Sequence, residues 1–239
     1  MLFELFFKDQ SNLEIPFISF LVICGIVSYL IGSLNFGIIF SRAIFKEDVR
    51  SSGSGNAGAT NMLRTYGKRA GIFTFLCDGA KTAVAMATSY LFMPPRYVVL
   101  GMFFAGIFCM VGHTYPLYFK FKGGKGVACF AVLVLMTSIA MKVWYVFLIL
   151  FVMFFILVIG TKFVSLGSII CALVYPILLN RVNRMVDNNP FIMVEVLAVL
   201  AGLFVVFQHR TNLSRLFNGT ENKISLSKKK KKENEETNE

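Results

Sequence analysis

Four polar segments of the sequence carry residue types that suit the binding of phosphate. In the first, Gly32, Ser33 and Gly37 lie in an apolar stretch that is followed by Arg42. Glycines let a ligand or a helix approach the backbone closely, and the planar fork of an arginine matches phosphate oxygens. Close packing of small residues, with an arginine at the membrane boundary, is the other interpretation.

The second segment, residues 51–61, is a Gly-rich loop that reads SSGSGNAGATN. Gly53, Gly55 and Gly58 match G-x-G-x-x-G, but no βαβ unit surrounds them and no lysine follows, so nucleotide-binding motifs are excluded. We expect all three glycines at positions of positive φ or close approach, forming a nest of N–H groups for an anion. A flexible linker is the less favoured alternative. Four side chains would add polar groups to the nest: Ser54, Asn56, Thr60 and Asn61.

The third segment joins an intramembrane histidine, His113, to a lysine turn, defined here as residues 120–126. The turn reads KFKGGKG, with Lys122, Gly123, Gly124 and Lys125 just before an apolar helix. Cations beside a helix N-terminus favour phosphate. A lysine cluster that only sets membrane topology is equally compatible with the loop, and His113 is also compatible with a bond between helices.

The fourth segment, residues 208–221, follows the last apolar stretch. If the helix continues, His209, Asn212 and Arg215 lie on one face, because steps of three residues keep side chains within about 120° of one another. Glu221 then closes the segment as a supporting residue. An amphipathic helix lying in the membrane interface is the alternative.

Asp78 and Lys81 stand three residues apart inside another apolar stretch. An ion pair within a membrane is costly and for that reason is a functional hypothesis. A structural pair that fixes helix orientation is at least as compatible with the spacing.

The composition predicts that these segments belong to an all-α integral membrane protein. Of the 239 residues 56% are hydrophobic, 26 are Phe and only 15% are charged, with a mean hydropathy of +0.68. A water-soluble domain of this size cannot hide so much apolar surface. The five cysteines lie singly in apolar runs and predict neither zinc nor disulfides. Membrane topology explains the net charge of +11 better than nucleic acid does, so no nucleic acid is expected.

About seven transmembrane helices are predicted, because a span needs roughly 20 apolar residues. The N-terminus is placed outside and the C-terminus in the cytoplasm, since this puts 18 of the 24 Lys and Arg residues on the cytoplasmic side. The fourth and sixth stretches are short, so that five or six crossings stay open. The stretches are 16–41, 71–93, 97–118, 126–141, 143–160, 163–179 and 191–207. An external segment 1–14 precedes the membrane domain 15–223, and a Lys-rich, then acidic, disordered tail 224–239 follows it.

The four segments and the Asp78 helix resemble the bacterial acyl-phosphate:glycerol-3-phosphate acyltransferase family, the PlsY type. The motifs occur in the family's order as GSLNFG with Arg42, GSGNAGATN, LCDGAK, GHTYP with FKFKGGKG, and HRTNLSRLFNGTE. Asn35 stands where the family usually has proline, Tyr115 replaces Phe, and Leu213 replaces Ile. The resemblance covers residues 32–221.

This resemblance implies a bacterial cell-membrane enzyme with its active site on the cytoplasmic face. Its substrates would be acyl phosphate and sn-glycerol 3-phosphate, and its products 1-acyl-sn-glycerol 3-phosphate and phosphate. Ser33, Arg42, Lys122, Lys125 and the Gly-rich loop are assigned to phosphate and transition-state charge. His209 and Asn212 are assigned to the acceptor hydroxyl, with either His209 or a substrate phosphate oxygen as the base. The resemblance further implies that acyl carrier protein, coenzyme A, a metal or another cofactor is not needed, and no protein partner is inferable.

Two rival functions remain at this stage. A membrane transporter of phosphorylated anions would also need intramembrane charge and basic loops, although it would normally distribute polar groups along a path to both faces. A packing or assembly protein with no site is the second rival.

Overall fold

All regular elements in the described parts of the chain are helices. The structure, a computed structural model, describes residues 14–186 and 192–224. The predicted external segment 1–14 and tail 224–239 therefore lie outside the described residues, except for Glu14 and Ile224. Within these described ranges, ten α-helices follow one another: α1 Glu14–Gly32, α2 Phe36–Phe45, α3 Ala59–Tyr66, α4 Lys68–Phe92, α5 Val98–Thr114, α6 Val127–Ala140, α7 Tyr145–Thr161, α8 Val164–Val186, α9 Ile192–Gln208 and α10 Arg210–Phe217.

By length and composition, four helical stretches in the described ranges can cross a membrane. They cover residues 18–45, 68–92, 95–119 and 164–185, and α9 with α10 forms a fifth if the bent pair counts as one span. Helices α6 and α7 are apolar but shorter, at 14 and 17 residues. The all-α integral membrane class is thus confirmed, while these lengths alone give four or five spans rather than seven.

The first predicted span is broken, which corrects the continuous helix expected over 16–41. Helix α1 ends at Gly32 and α2 begins at Phe36. Asn35 is extended (φ −86°, ψ 102°) and its side chain accepts a hydrogen bond from Ile38 N, capping α2. The ammonium of Lys81 donates to Leu34 O at 2.7 Å, which satisfies a carbonyl that the break exposes.

Two further boundaries differ from the predictions. The sixth stretch is not short, because α8 runs to Val186 and contains Pro176; the short helices are the fourth and the fifth. Arg181 and Arg184 therefore lie in the last turns of α8 rather than in a loop. The seventh helix does not continue straight, because α9 and α10 meet at an angle of 57° with His209 between them.

The apolar core lies among α4 to α9. It includes the fully buried side chains of Phe103, Leu133 and Tyr175. Helix α1 joins this bundle through a very close contact with α5, where a Cβ on Gly32 would lie 2.2 Å from Cys109 O. Many large apolar side chains remain exposed on the outside, as expected of a surface that faces lipid.

Candidate active site

The polar segments predicted from the sequence meet at one end of the helix bundle. Arg50 Nη1, beside the Gly-rich loop, donates to Lys122 O in the lysine turn at 2.8 Å. Lys125 of the same turn donates to Asn212 Oδ1 on α10. These contacts join residues that are 72 and 87 positions apart in the chain, so they depend on helix packing.

A carboxylate organises the C-terminal part of this end. Glu221 Oε1 accepts hydrogen bonds from Asn212 Nδ2 at 2.7 Å and from Ser165 Oγ at 2.8 Å, and Oε2 accepts from Arg215 Nε at 2.8 Å. Burial opposes ionisation, but the hydrogen bonds from Arg215, Asn212 and Ser165 outweigh it and lower the pKa of Glu221. An ionised carboxylate is only an acceptor, and it therefore turns the Asn212 amide so that its oxygen faces Lys125.

Lys125 is a cation with a perturbed pKa. Burial, followed by repulsion from Arg215 and Arg64, lowers its pKa to about 8, although Glu221 acts in the opposite direction. The guanidinium of Arg64 donates to Asn222 O at 3.0 Å, which brings α3 to the same place. Three cations therefore lie around one carboxylate, an arrangement suited to an anionic substrate.

His209 lies at the junction of α9 and α10 and is only 2% exposed. Its Nδ1 is 2.8 Å from Val205 O. A carbonyl oxygen can only accept, so Nδ1 carries the hydrogen, and in the neutral ring Nε2 has the free lone pair. The geometry thus leaves Nε2 able to accept a proton.

The Gly-rich loop is held by Asn61, which is 2% exposed. Its Nδ2 donates to Val49 O at 3.0 Å and Ser52 O at 2.9 Å, and its Oδ1 accepts from Ser54 N at 2.8 Å. Gly55 N also donates within the loop, to Ser52 O. The Asn61 side chain and the N–H groups of Ser54 and Gly55 are predicted to face an anion. In this structure they instead hold the loop together.

The three glycines of the loop differ in conformation. Gly53 and Gly55 have φ values of +61° and +71°, as predicted. Gly58 does not: its φ is −98°, and it precedes α3 with open space around an added Cβ. The first N–H groups of α3, from Ala59 and Thr60, have no partners within a helix. They adjoin Gly58, and Asn56 lies two residues before it.

Ser33 and Arg42 both contact the segment that joins α5 to the lysine turn. The buried Ser33 hydroxyl donates to Tyr29 O at 2.9 Å and accepts from Leu117 N at 3.3 Å, tying the break to the loop after α5. Arg42 is half exposed, pairs with Asp48 at 2.8 Å and stacks over the Phe119 ring. The assignment of both residues to substrate stays a prediction.

Asp78, Lys81 and His113 form a buried polar cluster between α4 and α5. Lys81 Nζ lies 2.8 Å from Asp78 Oδ1 and 3.0 Å from His113 Nδ1. Gly124 packs so closely that a Cβ there would lie 2.1 Å from His113 Nε2, and Gly123 N donates to Thr114 O. This cluster links the break after α1 to the lysine turn.

Several residues in this region were not predicted as part of the site. Asp48 and Arg50 immediately precede the Gly-rich loop, and in the sequence only their opposite charges indicate a possible role in the site. Arg64 follows Asn61 by three positions, which is one helical turn of α3. Ser165 gave no signal, because its contact with Glu221 spans 56 residues. No group of three His, Cys, Asp or Glu side chains suited to a metal occurs within residues 14–186 and 192–224.

Comparison with known proteins identifies the family. A family model described as glycerol-3-phosphate acyltransferase matches residues 22–219. The glycerol-3-phosphate acyltransferase of Finegoldia magna is 37% identical over 86% of this chain and 96% of its own length. That of Bartonella quintana is also 37% identical, over 86% of this chain and 92% of its own length.

Two solved structures have the same fold. They are crystal structures of PlsY (YgiH), an integral membrane glycerol 3-phosphate acyltransferase, in a glycerol 3-phosphate form and a lysophosphatidic acid form. Their TM-scores are 0.74 and 0.71 at 30% and 29% identity, covering 86% of this chain and 96% of theirs. The chain is therefore a helical membrane acyltransferase. It belongs to the glycerol-3-phosphate acyltransferase family, which confirms the resemblance seen in its motifs and gives the transporter alternative no support.

Proposed function

We propose that this membrane glycerol-3-phosphate acyltransferase takes its acyl group from acyl phosphate. The group passes to the 1-hydroxyl of sn-glycerol 3-phosphate, which gives 1-acyl-sn-glycerol 3-phosphate (lysophosphatidic acid) and phosphate. The observation that carries the proposal is the convergence of Lys125, Arg215 and Arg64 with the buried His209 and Asn212 at one end of the bundle. Both substrates are phosphate anions and the donor also has a lipid tail, so they need a cationic site that opens to the bilayer.

In the proposed reaction the acceptor hydroxyl oxygen attacks the acyl carbonyl carbon. A C–O bond to glycerol forms, the C–O bond to phosphate breaks, and the hydroxyl proton leaves to a base. Acyl phosphate is an activated mixed anhydride, which reduces the need for a covalent enzyme intermediate. Orientation and electrostatic stabilisation by fixed cations then supply most of the barrier reduction.

The roles follow the chemistry of the side chains. Lys125, Lys122 and Arg42, with the first turn of α3, bind phosphate oxygens and the charge that develops during transfer. Asn212 orients the acceptor hydroxyl from the position that Glu221 fixes. His209 Nε2 and a phosphate oxygen of the substrate are the two candidate bases. Ser33 would reach substrate phosphate by exchanging one of its present hydrogen bonds.

We also propose a seven-span topology with the active site on the cytoplasmic face of a bacterial cell membrane. Pairs of helices separate the segments that meet at the site, namely α4 with α5, α6 with α7, and α8 with α9. Each pair leaves the site and returns to it, which supports an even number of crossings between segments. Helices α6 and α7 are about 21 and 26 Å long at 1.5 Å per residue, and local thinning of the bilayer accommodates such lengths.

The donor experiment tests the proposal directly. Detergent-purified protein is incubated with labelled glycerol 3-phosphate and, in parallel, acyl phosphate, acyl-CoA or acyl carrier protein. We expect lysophosphatidic acid from acyl phosphate alone, and no product with Asn212→Leu, a variant of similar side-chain volume that loses the amide. Comparable rates with acyl-CoA would contradict the proposed donor, and turnover by a folded Asn212→Leu would remove that residue from the site.

A further inference from the structure

Arg50 makes hydrogen bonds in two directions from a position between the Gly-rich loop and the lysine turn. On one side Nε donates to Asp48 Oδ1 at 2.9 Å and Nη2 donates to Asp48 Oδ2 at 2.7 Å. On the other side Nη1 donates to two backbone carbonyls, Phe119 O at 3.0 Å and Lys122 O at 2.8 Å. All three nitrogens of the guanidinium are thus bonded to the protein.

Asp48 also binds the guanidinium of a second arginine, Arg42. Its Oδ2 accepts from Arg42 Nε at 3.2 Å and from Arg42 Nη2 at 2.8 Å. Hydrogen bonds from Arg50, and then from Arg42, lower the pKa of Asp48 despite its partial burial. The carboxylate therefore stays ionised and holds both arginines.

The lysine turn has a conformation that needs support. Lys120 and Phe121 have φ values of +59° and +56°, and two successive non-glycine residues in the left-handed region are unfavourable. The carbonyls that Arg50 contacts, at Phe119 and Lys122, flank this pair on both sides. A single planar side chain thus bridges the two ends of the strained backbone.

We infer that Arg50 is a positioning residue for acyl transfer and, with Asp48, forms a brace between the Gly-rich loop and the lysine turn. The brace holds Lys122 and Lys125 at a fixed distance from the loop and keeps Arg42 beside Phe119. The inference rests on the proposed function, because it takes these cations as the groups that bind substrate phosphate. A lysine at position 50 keeps the charge but offers one nitrogen, which cannot serve the carboxylate and both carbonyls together.

Hydrogen exchange tests the brace without reference to catalysis. In purified Arg50→Lys, the amides of residues 121–124, which donate to backbone carbonyls of residues 113–119, should exchange faster than in the original protein. Amides within α5 and α6 should not change. Asp48→Asn, which keeps the shape of the side chain, provides a second measurement with the same expected result. Unchanged exchange at residues 121–124 in both variants would overturn the inference, whatever the activity.

Glu47→Gln is the matched control for these variants. Glu47 is the neighbouring acidic residue, and it accepts from the Tyr66 hydroxyl at 3.4 Å rather than from an arginine. We expect unchanged exchange and unchanged kinetics in this variant. A change as large as that of Asp48→Asn would show that any lost acidic charge in this loop has the same effect, and would refute the specific role of Asp48.

Kinetics separate positioning from direct contact with substrate. We expect kcat/KM to fall roughly tenfold to a hundredfold in Arg50→Lys and in Asp48→Asn, as for a small misplacement of binding groups. The double variant should have about the same kcat/KM as the less active of the two single variants, because the effects of residues that act as one unit do not add. Losses that multiply would show that Arg50 binds substrate independently and would reject the brace. If the unsubstituted protein were inactive with acyl phosphate, the proposed function would be refuted. Hydrogen exchange would still test whether Asp48 and Arg50 form the brace.

Discussion

Lys125 shows how a single residue connects the packing of the site to its electrostatics. Its ammonium donates to Asn212 Oδ1, and Asn212 in turn is oriented by Glu221. The same burial that makes these contacts possible removes water from the ammonium and destabilises its charge. Anionic substrate would replace the lost water with phosphate oxygens, which is why a poorly solvated cation suits this position.

The lowered pKa of Lys125 predicts a fall in activity above neutral pH. The charge is present below a pKa of about 8 and is lost above it, whereas an ordinary lysine stays charged to about pH 10. We therefore expect kcat/KM, which reports the free enzyme, to decline above about pH 8. Measurements between pH 6 and 10 with both substrates would check this.

Two variants test whether deprotonation of Lys125 causes the decline in kcat/KM. Lys125→Arg keeps a positive charge throughout this range, so its profile should stay flat to higher pH even if its rate is lower. Lys122→Arg, at an exposed lysine of the same turn, should leave the inflection where it was. An inflection that persists in Lys125→Arg would assign the titration to another group.

At the scale of elements, the Gly-rich loop has two separable parts. Residues 53–55 form a turn whose own polar groups are joined through Asn61, and they hold the loop in shape. Gly58 begins α3, whose first N–H groups are the backbone donors at a helix N-terminus. Folding should therefore depend on the first part and anion binding on the second.

Alanine substitutions at Gly53 and Gly58 should separate folding from binding. Gly53→Ala forces a left-handed residue, at a cost of about 1–2 kcal/mol, and puts a Cβ 2.2 Å from Asn61 Oδ1. It should lower the thermal midpoint in detergent. Gly58→Ala meets open space at an ordinary φ, so it should keep the midpoint but raise KM for a phosphate substrate, because the methyl enters the space beside α3.

Gly55→Ala is the control that separates backbone strain from steric overlap. Its φ is positive, but the nearest atom to an added Cβ is Arg50 O at 3.6 Å. We expect a loss of stability smaller than that of Gly53→Ala, since only strain is added. Wild-type KM values in a stable Gly58→Ala protein would exclude the α3 N-terminus from the substrate site.

At the scale of the whole molecule, three pairs of the described helices return their ends to the proposed site. This arrangement predicts the side of the membrane on which each connection lies. Reporters fused at Lys125 and Lys162 should be cytoplasmic, and reporters at Arg96 and Lys142 should be external. Protease protection or cysteine labelling in intact cells would measure this.

Lys142 is the decisive position, because it lies between the two short helices. If α6 and α7 cross the membrane separately, Lys142 is accessible from outside. If α6 and α7 form a re-entrant pair, Lys142 is not accessible from outside, and the chain then has five spans instead of seven. A cytoplasmic Arg96 would contradict the orientation as well as the count.

The sequence by itself determined the membrane class, the family and which segments are polar. These features are properties of composition and of short motifs, so they can be read along the chain without knowing its contacts. Residues such as Lys125, Asn212 and Glu221 were identified in this way, and the structure brings them together. Positive φ at Gly53 and Gly55 was also predictable, because glycine alone adopts it without strain.

Only the tertiary structure decided which polar atoms are already engaged. Asn61 and Ser33 were predicted as substrate ligands by their residue types, yet in this structure their side chains bond to backbone atoms. The brace of Asp48 and Arg50, and the contact of Ser165 with Glu221, also could not be predicted. Each depends on how helices distant in sequence pack. A hydrogen bond needs its donor and acceptor atoms within about 3.5 Å, and local sequence does not set that distance.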